Sequence, residues 1–115
     1  MIYELPLPIS TNALFFNLPK GGRAKTERYK KWLHEAGLML ICQRARPMPG
    51  QVQLEIIINE KSKCDPDNAL KCVFDALVSR GILEDDSPKF VRRFTFERSD
   101  KIEGVRVTIK PVGKE

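Results

Sequence analysis

Five side chains in this 115-residue sequence are of types and spacing that could do chemistry: Asp65, Asp67, Lys71 and the adjacent Asp85 and Asp86. Asp65-Pro66-Asp67 reads as a helix start, with Asp65 at the N-cap, Pro66 at the first helical position and Asp67 in the first turn. Leu70, Val73, Phe74, Leu77 and Val78 then recur at the spacing that lines one helix face, and Gly81 is placed to stop the helix in the left-handed conformation. Asp67, Lys71 and Asp75 fall at successive i, i+4 steps along the border of that face. Carboxylates and an ammonium therefore stand a turn apart where the helix meets whatever it packs on. The chain returns through Ile82-Leu83-Glu84 to Asp85 and Asp86. A strand that starts near Asp86 and runs antiparallel to the helix passes the helix start if the loop folds under it.

Carboxylates gathered at one helix start repel one another. The helix macrodipole relieves this by only ~0.3–1 kcal/mol, too little for a partly buried cluster. A divalent cation offsets it far better, and an all-oxygen donor set suits Mg²⁺ or Mn²⁺. Each residue also has a duller use: Asp65 as a cap, Asp67 paired with Lys71, Asp85 and Asp86 as loop charges. Together those uses leave so dense a set of acids beside an ammonium unexplained. A calcium loop of the EF-hand type fails on spacing, because its sixth position would be Leu70 instead of glycine and its twelfth Ala76 instead of Glu.

The run Asp65-x-Asp67-Asn68-x-x-Lys71-x-x-x-Asp75-x-Leu77, then Gly81 and Asp85-Asp86, resembles the RusA-type Holliday junction resolvases. The opening Leu5-Pro6-Leu7-Pro8-Ile9-Ser10-x-Asn12 is similar to that family's first strand and loop. The likeness spans nearly the whole chain, and the combined motif is specific where a lone Asp-x-Asp-Asn is not. Cys64 and Pro66, flanking the first aspartate, are the local departures. The resemblance implies an Mg²⁺-dependent endodeoxyribonuclease, with Mn²⁺ substituting and no organic cofactor, that resolves four-way DNA junctions by paired symmetric nicks as a homodimer. It implies Asp65, Asp67 and Asp86 as metal ligands (Asp85 the weaker candidate), Lys71 as a residue needed for cleavage, and Asn12 at the DNA. The competing reading is a non-catalytic basic module that holds branched or single-stranded DNA, its acids only capping and pairing.

Composition is that of an ordinary globular chain, 42% hydrophobic and 30% charged, with a formal net charge of +5 and a pI near 9.3 that suit a polyanionic partner. The length fits one domain over residues 1–115. No signal peptide or bilayer-length apolar run is present, so a cytoplasmic, membrane-free protein is expected. Cys42, Cys64 and Cys72 have no metal-ligand spacing and read as reduced thiols.

The elements around the acids follow from periodicity. Ile2 to Pro8 is a strand that its prolines consign to an edge, Ser10-Thr11-Asn12 a turn, and Ala13 to Leu18 a second short extended piece. Phe15 and Phe16 read as core in preference to DNA contacts. Lys20, Arg23, Lys25, Arg28, Lys30 and Lys31 face only Glu27, beginning in a Gly21-Gly22 loop. Beside a nuclease centre this run becomes a phosphate-binding loop and helix start, with Lys20, Arg23, Lys25 and Arg28 as contacts. The helix begins near Thr26 and is expected to end at Arg46-Pro47, and His34 on its charged face has no catalytic role. Gln51 to Asn59 is a buried central strand that leads past Lys61 and Lys63, two further DNA contacts, into Asp65. Phe90 to Arg98 and Val105 to Ile109 alternate again, with a hairpin-length loop between them. The sum is α+β: a small mixed sheet of about four to five strands with two helices packed mainly on one face, and a frayed tail from Val112.

Overall fold

Val52, Leu54, Ile56 and Ile58 are buried while Gln53, Glu55, Ile57 and Asn59 between them are not, and this period of two sets β4 (Val52–Asn59) at the centre of the sheet. The structure is a computed structural model that describes residues 1–9 and 14–112. β1 (Ile2–Leu5), β5 (Val91–Ser99) and β6 (Val105–Pro111) complete a four-stranded mixed sheet in the order β1-β6-β4-β5. β6 runs antiparallel to β1 and β4, and β5 runs parallel to β4. β1 is therefore an edge strand, and it stops at Leu5, short of the expected Pro8, because Pro6 has no N–H to continue the ladder. β2 (Phe15–Asn17) and β3 (Arg23–Lys25) form a separate antiparallel hairpin closed by the Gly21-Gly22 turn.

Two helices cover the apolar face. α1 (Glu27–Cys42) buries Tyr29, Trp32, Ala36 and Leu40, and α2 (Pro66–Ser79) buries Ala69, Cys72, Val73, Ala76 and Leu77. These side chains join the β4 and β6 residues in one core, where each fully buried Leu, Ile or Val contributes ~1.5–3 kcal/mol. The expected α+β architecture is the one found.

Two further expectations are corrected. α1 stops at Cys42, before Arg46-Pro47, because Arg44 takes a left-handed φ of 58°. Gln43 has left the helix to serve β1: its side-chain amide donates to Glu4 O at 2.7 Å and accepts from Glu4 N at 2.6 Å. The loop between β5 and β6 closes no hairpin, since β4 lies between the two strands. It arches over the carboxyl end of β4, where Asn59 N donates to Gly104 O, and its Ile102 is buried. Spanning one intervening strand needs only about 10 Å, which the five residues from Asp100 to Gly104 reach easily. The Ser10-Thr11-Asn12 turn and the last three residues lie outside the described residues.

Candidate active site

The loop leaving β4 turns directly into α2. Asp65 holds the N-cap position with extended backbone (φ −62°, ψ 147°), yet its side chain makes no capping hydrogen bond. Asp67 sits in the first turn. Both are exposed, and among the described residues neither carboxylate has a hydrogen-bond or ion-pair partner. Both carboxylates are therefore left with their oxygens open to a partner from outside the helix.

The backbone carrying these acids is pinned from β5. The Arg98 guanidinium donates to Ser62 O at 2.9 Å and to Cys64 O at 3.0 Å. Cys64 is buried, and its thiol donates to Ile9 O at 3.3 Å. Burial first, then the charge of Asp65, pushes that thiol's pKa up, with Arg98 opposing. Sequence reading missed Arg98, because only the parallel β4–β5 register brings a residue 33 positions downstream of Asp65 (98 minus 65) to the loop.

Lys71 pairs with Asp75, not Asp67: its Nζ lies 3.5 Å from Asp75 Oδ1. The other Asp75 oxygen accepts a hydrogen bond from the Tyr29 phenol. Tyr29 is fully buried, and burial followed by the bond to Asp75 pushes its pKa up, so the phenol stays a donor. Its ring meets Phe15 edge-on at 5.6 Å. Phe15 in turn has the Arg23 guanidinium carbon 4.6 Å and Lys71 Nζ 5.9 Å from its centroid. Leu14, Phe15, Arg23, Asn68 and Lys71 line one open cavity. Of the two adjacent phenylalanines, then, Phe15 packs on the core while Phe16 is exposed.

Asp86 is elsewhere. It lines a cavity with Phe74, Pro88, Val91, Arg92, Arg93 and Phe94, beside the start of β5. Asp65 lies past the other end, where β4 and β5 finish together at Asn59 and Ser99. β5 thus does run back past the helix start, but it reaches it with Arg98 and not with Asp86. Among the described residues no three His, Cys, Asp or Glu side chains are grouped to hold one ion. The single chain therefore carries Asp65, Asp67 and Lys71 on the first two turns of α2 and sets Asp86 beside the start of β5.

The basic candidates are all exposed: Lys20, Arg23, Lys25, Arg28, Lys61 and Lys63. Lys25 also lines a groove with Lys30, His34 and Arg80. Asn12 lies outside the described residues. No helix among the described residues is long and apolar enough to cross a membrane.

An α+β domain that presents two unpartnered carboxylates and a lysine at one helix start, rimmed by cations, has the means to handle a phosphodiester. The family described as Endodeoxyribonuclease RusA matches residues 19–110, and the chain belongs to that family. The matched span takes in Asp65, Asp67, Lys71, Asp85, Asp86 and each basic candidate. No curated protein matches the chain.

Proposed function

We propose that this protein is an Mg²⁺-dependent endonuclease that resolves four-way DNA junctions by paired, symmetric nicks. The observation that carries the reading is the pair Asp65 and Asp67, idle at the amino end of α2, with Lys71 one turn on. Their donor chemistry fits Mg²⁺, which commonly takes one or two carboxylates from a protein and fills its remaining positions with water and phosphate oxygens. When bound, such a cation neutralises phosphate charge and lowers the pKa of water at the site.

The protein's own residues do the rest. Asp65 and Asp67 fix where the cation and the scissile phosphate meet, and the Arg98 clamp keeps their loop from drifting. Lys71 brings a positive charge to the phosphate as negative charge grows on it or on the leaving oxygen. Arg23 shares a cavity with Lys71 and Asn68 and suits a neighbouring phosphate. Lys20, Lys25, Arg28, Lys61 and Lys63 hold the arms through backbone contacts that are blind to sequence.

A homodimer supplies the missing carboxylate in this reading. β5 is an edge strand with one side unpaired, and Phe94 on it is 45% exposed. Antiparallel pairing of two such strands about a two-fold axis sets the start of one beside the end of the other. Asp86 of the partner subunit then lies near Asp65 and Asp67, and two equivalent sites face the near two-fold symmetry of a junction.

The test is nicking of a synthetic mobile four-way junction and a matched linear duplex in Mg²⁺ and in EDTA. Paired nicks in the junction, in Mg²⁺ alone, are the expected result. Junction binding without cleavage at any Mg²⁺ or Mn²⁺ concentration would make the protein a binding module instead.

A further inference from the structure

Lys71 stands between two carboxylates of its own helix, Asp67 one turn before it and Asp75 one turn after. Helix physics favours the first. An acid placed four residues before a lysine pairs better than one placed four residues after it, because that order also suits the macrodipole. The observed partner is nevertheless Asp75, at 3.5 Å.

The reason lies beneath the helix. Asp75 is bound through its second oxygen by the phenol of Tyr29, a residue with no exposed surface that reaches across from α1. The Asp75 side chain is only 20% exposed, so its attraction for the ammonium is screened less than that of the exposed Asp67. Tyr29 also abuts Phe15, the ring that lies 5.9 Å from the ammonium. One buried tyrosine from α1 thus touches both groups that flank Lys71. Its backbone N is tied to Thr26 Oγ1 at 3.2 Å in the α1 cap, which fixes the tyrosine in turn.

We infer that Tyr29 and Asp75 are positioning residues: they draw the Lys71 ammonium away from Asp67, which leaves Asp67 open to a cation and aims the ammonium into the cavity it shares with Arg23 and Asn68. This rests on the role proposed above for Lys71. Without the hold, Lys71 falls back on Asp67, and that one pairing disables both residues. No pairing rule read along the chain reveals this, because the deciding residue is 46 positions from Asp75.

The experiment compares Asp75→Asn, Tyr29→Phe, Lys71→Ala and Asp75→Asn/Lys71→Ala with the parent. Single-turnover junction cleavage is measured at saturating enzyme and Mg²⁺, binding in Ca²⁺, and stability by thermal melting. The Lys71 ε-methylene resonances are followed in the metal-free protein, assigned by their loss in Lys71→Ala. Asp75→Asn and Tyr29→Phe should each slow cleavage by about tenfold to a hundredfold with binding retained, since small misplacements at a reacting centre cost that much. In the Lys71→Ala background Asp75→Asn should add nothing, the non-additivity of residues that act through one another. The Lys71 resonances should move in both single variants. Equal slowing by Asp75→Asn in both backgrounds, or unmoved Lys71 resonances, would overturn the positioning role and leave the nuclease reading standing. Full-rate cleavage by Lys71→Ala would overturn the role proposed for Lys71 and the positioning inference that rests on it, again with the nuclease reading left standing. If the parent itself cut nothing, the resonances alone would decide whether Tyr29 and Asp75 hold the ammonium.

Discussion

An aspartate at a helix start is a cap or a ligand according to where its oxygens go. Asp65 occupies the cap position and caps nothing with its side chain, and Asp67, the intrinsically better mate for Lys71, is passed over. Asp67→Asn is nearly isosteric but removes the anionic oxygen that a hard cation prefers. It should fold and bind junctions as the parent does and lose cleavage; nicking at the parental rate in Mg²⁺ would remove Asp67 from the site. The thiols behave as core. Burial first, then the charges of Cys64 and Asp75, pushes the Cys72 pKa up from 9.0 to about 12. A proton kept in the folded state and lost sooner in the unfolded one stabilises the fold below pH 9.0, and that contribution disappears as pH rises towards 12. Thermal stability should therefore fall across this range, less steeply in Cys72→Ala. With a thiol-disulfide reagent at pH 8, the exposed Cys42 should react in the folded protein, and all three cysteines only after unfolding. Rapid reaction of a second thiol in the folded protein would contradict that burial.

At the scale of elements, the sequence announced its own periodicities and concealed its long-range contacts. Pro66, the apolar spacing of α2 and the alternation of β4 each act within one element, so they could be read directly. The end of α1 could not, because the competing use of Gln43 lies on β1, 39 positions away. The loop after β5 looked like a hairpin because length alone does not say which strand lies between its ends. The same blindness hid Arg98, whose two hydrogen bonds to backbone carbonyls fasten the acidic loop to β5. Arg98→Ala should leave the fold intact, at a cost of about 0.5–1.5 kcal/mol per hydrogen bond removed, and raise the Mg²⁺ concentration needed for half-maximal cleavage. Arg98→Lys, which cannot span both carbonyls, should fall between the two. An unchanged Mg²⁺ dependence in Arg98→Ala would mean the loop holds its shape without the clamp.

At the scale of the molecule, the net charge of +5 and the exposed run from Lys20 to Arg28 give a DNA-sized partner somewhere to sit. Replacing Lys25 and Arg28 together with Ala should weaken junction binding and lower the log–log salt slope by ~0.9 for each phosphate that the protein no longer neutralises. An unchanged slope would move the binding face elsewhere. The motif residues were legible as a set, but their distribution in space was not: the sequence brackets Asp65 and Asp86 closely, whereas the sheet puts them at opposite ends of β5. The site proposed to be shared between subunits rests on that separation, and mixing two inactive variants tests it most directly. In a dimer of one Asp67→Asn subunit and one Asp86→Asn subunit, both substitutions fall in the same composite site and the other site is wholly intact. The mixed variants should therefore regain Mg²⁺-dependent nicking of a four-way junction, on one strand per junction, while each alone stays inactive. No recovery from a mixture shown to exchange subunits, beside a parent protein that cuts the same junction, would contradict the shared site.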